Sequence, residues 1–204
     1  MLKIYGRTTS SNVQKVLWCC GEIGLEFERI DIDKAFGGLK SPGYLALNPN
    51  GLMPTIDDDG FILWESNVAV RYLAAKHGHG RLCPAGLRAR ADCERWMDWQ
   101  QTALGAPMGV AFRALLREPR EAMPEEQWRA AVQRAGELWR ILDVRLSDRA
   151  YVGGDALTMG DIALGNAIHR WYKLPVDRPD LLRLRQWYDR LRQRPAYQQH
   201  VASI

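Results

Sequence analysis

Residues 48–66, NPNGLMPTIDDDGFILWES, restrict the fold more than any other part of the chain. Two short apolar runs, Thr55-Ile56 and Phe61-Ile62-Leu63-Trp64, are joined through Asp57-Asp58-Asp59-Gly60. Asp-Gly between apolar runs accepts the positive φ angles of a tight hairpin, so the segment reads as two antiparallel strands. Met53-Pro54 stands just ahead of the first strand, where a residue lacking an N–H is tolerated. Glu65-Ser66 stands just after the second, where an acid and a hydroxyl suit the start of a helix. Together these features describe a segment that presents its own backbone to a small peptide-like ligand.

The flanking sequence sets this hairpin in a larger frame. Leu2-Lys3-Ile4-Tyr5 alternates as a strand and Gly6 to Ser11 reads as a loop. From Ser11, the apolar residues Val13, Val16, Leu17, Cys20 and Ile23 fall on one helix face, with Gly24 as the stop. Residues 25–32 read as a second strand, and this βαβ unit is expected to be right-handed. Residues 34–47 read as a loop with at most a short helix, and a helix is expected from Ser66 to His77. The first part is therefore βαβ followed by ββα, over residues 1–78, and Gly/Pro-rich residues 79–85 form a linker.

From residue 86 to 204 every segment has helical spacing. One helix, carrying Cys93, Trp96 and Leu104, is expected to kink or break at Gly105 and Pro107. Another begins at Pro124 with a stripe of Trp128, Ala131, Val132, Ala135, Leu138, Trp139 and Leu142. Thr158-Met159-Gly160-Asp161 resembles a capping box with Asp in place of the usual Glu or Gln. A last helix from Asp180 ends at Pro195. The fold class is thus an α/β first domain followed by an all-α domain.

Composition narrows the chemistry. The net charge of +4 and pI near 9.0 come with Arg183, Arg185, Arg190, Arg192 and Arg194 spaced among Leu and Trp, the pattern of a solvated helix face. No recognised nucleic-acid module accompanies them, so no nucleic-acid partner is expected. No apolar run is long enough to span a bilayer, and the N-terminus reads as a strand rather than a secretory leader, so a cytoplasmic protein without a membrane partner is expected. Cys19, Cys20, Cys83 and Cys93 form no CxxC pair, and the four His are scattered, so reduced thiols and no metal are expected.

The order of these motifs resembles the cytosolic glutathione S-transferase family over nearly the whole length. Its carriers are Met53-Pro54 before a strand, Trp64-Glu65-Ser66 at a helix start, the Thr158–Asp161 box, and the loop Thr9-Ser10-Ser11-Asn12 where that family keeps its thiol-activating residue. The resemblance implies a thioredoxin-like glutathione-binding domain, an all-helical domain carrying the electrophile site, a homodimer, and a detoxifying transferase with glutathione as co-substrate and no other cofactor.

Residue by residue, the resemblance implies a cis bond at Met53-Pro54, leaving the Met53 N–H and C=O to pair with the cysteinyl backbone of glutathione. Glu65 and Ser66 would hold its γ-glutamyl end. Counting back from Val16, Ser11 falls where Ser-type transferases keep their hydroxyl, Ser10 where a bacterial class keeps Cys, and Asn12 where another class uses a Thr–Asn pair. Ser11 is the first choice, then Asn12, then Ser10. Relatives often grip the glycyl carboxylate with a His, Gln or Lys just before the Pro pair; here Gly51 and Leu52 stand there, which leaves Lys40 and Asn50 as candidates. Met108, Phe112, Arg113 and Trp171 are candidates for the electrophile's wall or for ordinary core. Conjugation to a small, apolar electrophile is the leading function. Glutathione-dependent disulfide or peroxide reduction and a non-catalytic binding or interaction role are the alternatives.

Overall fold

The computed structural model describes residues 1–117 and 120–202. The chain divides into two compact units: Met1–Ala85 together with the stretch from Arg194 onward, and Gly86–Gln193.

The first unit holds a mixed sheet of β1 (Leu2–Tyr5), β2 (Phe27–Ile30), β3 (Thr55–Asp58) and β4 (Phe61–Trp64) in the order β2-β1-β3-β4. β1 and β2 are parallel, and β3 is antiparallel to both β1 and β4. β1 and β4 therefore run the same way, and β3 runs back between them. The hairpin turn is two residues, Asp59-Gly60, both with positive φ (52° and 93°), the signature of a turn whose twist matches its strands. Asp57 and Asp58 consequently belong to β3 rather than to the turn.

α1 (Ser11–Ile23) and α4 (Ser66–His77) pack on each other. On the opposite side, Tyr5, Ile32 and Tyr44 form a small core with Phe36, Leu39, Leu47 and Met53 around it. Residues 34–47, read as mostly loop, contribute to two short helices, α2 (Ile32–Phe36) and α3 (Pro42–Leu47). Each is capped locally: Asp31 accepts from the N–H groups of Asp33 and Lys34, and Ser41 accepts from that of Tyr44. The same cap shortens β2. Leu25 is held by the carbonyl of Cys20 at the left-handed Gly24 terminus of α1, and Asp31 already belongs to α2.

The second unit contains α5 (Leu87–Trp99), α6 (Gly105–Leu115), α7 (Glu125–Arg145), α8 (Met159–Lys173) and α9 (Leu182–Arg192). The interruption expected at Gly105 and Pro107 takes the form of a π-helical stretch, Gln100–Leu104, so the chain stays helical through it. Pro107 has no N–H for the carbonyl one turn back, and a wider turn upstream absorbs that mismatch.

Asp161, fully buried, ties this unit together. One carboxylate oxygen accepts from Val152 N (2.8 Å) and Trp187 Nε1 (2.9 Å), the other from Thr158 N (2.9 Å) and Thr158 Oγ1 (3.0 Å). Burial pushes its pKa up and the four donors pull it back.

The helical run read as one domain to residue 204 divides at Arg194. Arg194 makes a two-pronged ion pair with Glu22 (2.7 and 2.6 Å), and Glu22 also accepts from Trp18 Nε1. Tyr197 packs edge-on against Trp18, with centroids 4.8 Å apart. A Cβ on Gly21 would lie 2.8 Å from Ala196 Cβ, so that glycine is what lets the returning chain approach. Residues Val13 to Cys20 of α1 are thereby all buried. The solvated-face reading of the basic residues is corrected for Arg194, and also for Arg190, whose Nε donates to the Ala150 carbonyl.

Replacing Asp161 by Ala leaves four buried donors without their acceptor and is expected to cost at least about 3 kcal/mol in denaturant unfolding. Asp161→Asn is expected to destabilise as well, because its NH₂ would face either the Thr158 N–H or the Val152 and Trp187 donors.

Candidate active site

Strand register brings the singled-out residues of the first unit together. Tyr5 pairs with Thr55, and Thr55 with Trp64, forming one row across β1, β3 and β4. The next residues out are Gly6, Pro54 and Glu65. The loop to α1, the start of β3 and the start of α4 therefore lie at one edge of the sheet.

Ser10 occupies the N-cap position of α1, Ser11 is its first helical residue and Asn12, exposed, its second. Ser10 has φ −81° and ψ 122°, as a cap should, yet its side chain makes no capping hydrogen bond. At α4 the cap position belongs to Glu65, again without a side-chain cap bond, and Ser66 is the first helical residue rather than the cap. In the same unit Asp31 and Ser41 do cap their helices. The first N–H groups of a helix have no partner within it and carry the positive end of its dipole.

Glu65 has φ 72° and ψ 108°, a conformation that a residue with a Cβ rarely adopts. Such backbone outliers concentrate at ligand sites, where surrounding structure holds them. Glu65 is exposed, whereas Ser66 and Asn67 are buried.

The Met53–Pro54 peptide bond is cis. Pro54 is buried and Met53 half-buried, and both precede the ladder, which begins at Thr55. A buried polar network that sequence reasoning missed holds this approach in place. Tyr44 Oη donates to the Leu52 carbonyl (2.7 Å) and lies 3.0 Å from Thr55 Oγ1. Asn48, only 2% exposed, donates to the same carbonyl (2.9 Å) and to Thr55 Oγ1 (3.3 Å). Its own oxygen accepts from the backbone and side-chain nitrogens of Asn50.

Gly51 has φ +58°, and a Cβ there would lie 2.7 Å from Lys40 Nζ and 2.8 Å from the Leu39 carbonyl. The absent side chain is what lets Lys40 cross the loop, where its Nζ donates to the Asn50 carbonyl (3.1 Å). Lys40 and Asn50 are thus brought together beside the residues leading to Met53.

The loop before α1 is pinned with equal care. Gln14 Nε2 donates to the Thr8 carbonyl and Arg29 to that of Gly6, while a Cβ on Gly6 would strike Val13 at 2.4 Å. Gln14 offers a weak sequence signal, a polar residue on a helix face otherwise apolar. Tyr5 is part of the core beneath the edge.

The four cysteines are free and buried. Burial raises the Cys19 and Cys93 thiols and pushes Cys20 up to about 12, so none of these three is a ready nucleophile. Among the described residues, no cluster of His, Cys, Asp and Glu is arranged to hold a metal, and no helix is long and apolar enough to cross a membrane. In the second unit Met108 and Trp171 are buried, the Arg170 guanidinium lies 3.9 Å from the Phe112 ring centroid, and Arg113 pairs with Glu121.

Two family models match, the glutathione S-transferase N-terminal domain over residues 9–76 and its C-terminal domain over residues 125–190. The chain is 37% identical to glutathione S-transferase GstB of Escherichia coli over 204 residues, 98% of each chain. The chain belongs to the glutathione S-transferase family. It superposes with a TM-score of 0.92 on a theta-class glutathione S-transferase from Xanthomonas axonopodis pv. citri solved with glutathione bound. The identity there is 42%, covering 98% of this chain and 96% of that one. It is also 29% identical to the disulfide-bond oxidoreductase YfcG of E. coli, over 96% of this chain and 92% of that protein. The α/β unit followed by helices is the glutathione transferase fold, and the chain is an enzyme of that kind.

Asn48→Ala removes the amide that holds the Leu52 carbonyl and Thr55. A loss of about 1–3 kcal/mol in denaturant unfolding is expected, together with faster hydrogen exchange at residues 50–53.

Proposed function

We propose that this transferase binds reduced glutathione along the edge where β1 and β4 end and β3 begins, and ionises its thiol at the start of α1. The thiolate then attacks a small, apolar electrophile bound by the helical unit. The observation that carries this reading is the Tyr5–Thr55–Trp64 register, which sets two helix starts without side-chain caps on either side of the Met53 backbone.

Each part of the tripeptide has a partner of the right chemistry. The Met53 N–H and C=O lie outside the ladder and pair with the cysteinyl backbone as an added strand does. The N–H groups at the start of α4, with the Ser66 hydroxyl, take the α-carboxylate of the γ-glutamyl group, and Glu65 takes its ammonium. Lys40 and Asn50 take the glycyl carboxylate in place of the side chain missing at Gly51.

A free thiol has a pKa of about 8.5, so only a few per cent is ionised at neutral pH. Lowering it by about two units needs roughly 2.7 kcal/mol in favour of the anion. A hydroxyl bond from Ser11 and the dipole of α1 supply that order of energy. Asn12 and Ser10 are the secondary candidates. The thiol proton passes to water; sulfur then forms a bond to the electrophilic carbon, whose leaving group departs with the bonding electrons. No metal or organic cofactor takes part in this scheme. The family supports a cytoplasmic homodimer acting in detoxification, with neither nucleic acid nor membrane as partner.

A second reading, reduction of disulfides or peroxides, is favoured by the exposed Asn12 and by the likeness to a disulfide-bond oxidoreductase. Two glutathiones would be oxidised to their disulfide while the substrate's S–S or O–O bond takes up the electrons and protons. With the protein cysteines buried, both thiols must come from glutathione.

Thiolate ultraviolet absorbance on titrating glutathione into wild type, Ser11→Ala and Asn12→Ala tests the assignment. Ser11→Ala is expected to lose the thiolate signal and roughly 10–100-fold in kcat, with the pH midpoint of kcat/KM rising toward about 8.5. Asn12→Ala is expected to keep both. Equal thiolate in all three proteins refutes the role of Ser11. A panel of aromatic halides run beside a disulfide separates the two reactions.

Lys40→Met is expected to raise KM for glutathione about five- to tenfold at little cost in kcat. With γ-glutamylcysteine, which lacks the glycyl carboxylate, wild type and variant should behave alike.

A further inference from the structure

Lys15 is a lysine only 4% exposed, inside a helix whose other inward residues are mostly apolar. Burying an ammonium costs desolvation, and ordering its long side chain costs entropy, so an apolar residue would fill the space more cheaply. Lys15 lies four residues after Ser11 and hence on the same helix face, one turn further in. Its Nζ donates to Asn67 Oδ1 at 3.2 Å in a buried setting. Asn67 is itself 2% exposed and directly follows Ser66.

The bond therefore joins the second turn of α1 to the first turn of α4. Both helices start from the same sheet edge, since β1 and β4 run in the same direction. Interdigitating apolar side chains pack two such helices side by side, and a directional buried hydrogen bond adds a further constraint on their axial offset. That offset helps set the distance between Ser11 and Ser66, the hydroxyls proposed at the thiol and at the γ-glutamyl carboxylate. Binding constellations tolerate only about half an ångström of misplacement.

We propose that Lys15 is a positioning residue for glutathione, acting through Asn67 to hold the start of α4 at the right offset from the start of α1. The role presupposes glutathione bound as proposed above. Lys15 touches no substrate in this scheme; it sets the spacing between groups that do.

The test uses Lys15→Met, Lys15→Arg, Asn67→Ala and the Lys15→Met/Asn67→Ala double variant in the full-length enzyme. Measurements are glutathione Kd by calorimetry, KM for each substrate, kcat and Tm. Lys15→Met and Asn67→Ala are each expected to raise Kd and KM for glutathione up to about tenfold, the size of one lost net hydrogen bond. KM for the electrophile should not move, and Lys15→Arg should recover most of the affinity. The double variant should be less impaired than the sum of the two single losses, because the Lys15–Asn67 bond is already gone in each.

Wild-type glutathione affinity in both single variants, or losses that simply add in the double variant, overturns the role. So does a fall in Tm with no change in glutathione Kd, which marks Lys15 as structural alone. If Lys15→Met does not fold, Asn67→Ala decides the question by the same Kd measurement. Ser66→Ala separates the two levels: affinity lost there but kept in Lys15→Met sinks the positioning role and leaves the binding reading standing. Absence of glutathione binding by the wild-type enzyme sinks both.

Discussion

β3 pairs on both sides, and its register with β1 and β4 sets which residues stand at the working edge. With Tyr5, Thr55 and Trp64 in one row, the next residue on each strand belongs to the proposed site or its support. A slip of one residue would exchange the two faces of β3 and draw Pro54 into the ladder, where it has no N–H to give. Thr55, fully buried and held by Tyr44 and Asn48, guards against that slip. The same two side chains hold the Leu52 carbonyl, so one polar cluster fixes both the register and the approach to Met53.

The helix starts complete the edge. Asp31 and Ser41 show that cap residues in this unit do bond their helices where nothing else is needed. Ser10 and Glu65 occupy the same positions on α1 and α4 without doing so, and Glu65 holds a backbone conformation that costs energy. Two helices thus start at the same sheet edge, on either side of the Met53 backbone, without side-chain caps. In the proposed pose the γ-glutamyl carboxylate meets the start of α4 and the thiolate the start of α1, with the cysteinyl backbone between them.

Much of this was legible in the sequence, because the cues are local. The Asp59-Gly60 turn fixed the hairpin, and the limits of α4 follow from Ser66 and the apolar spacing after it. The boundaries that shifted, at β2 and in residues 34–47, did so because Asp31 and Ser41 cap short helices where alternation alone suggests strand or loop. The supporting groups were not legible. Asn48 resembles any turn asparagine until its partners, the Leu52 carbonyl and Thr55 Oγ1, are known, and Lys15 resembles a surface lysine until α4 covers it. Arg194 looked solvated for the same reason: Glu22, its partner, lies far away in sequence. Such pairings depend on how loops and helices meet, which periodicity does not record.

The central claim concerns one edge and one ligand pose, and a crystal structure of the enzyme with reduced glutathione tests it most directly. The expected result is the cysteinyl backbone paired with Met53, the γ-glutamyl carboxylate at Ser66 and the start of α4, and the sulfur within hydrogen-bonding distance of the Ser11 hydroxyl. Glutathione bound in the reverse direction, or with its sulfur turned away from the start of α1, would contradict it.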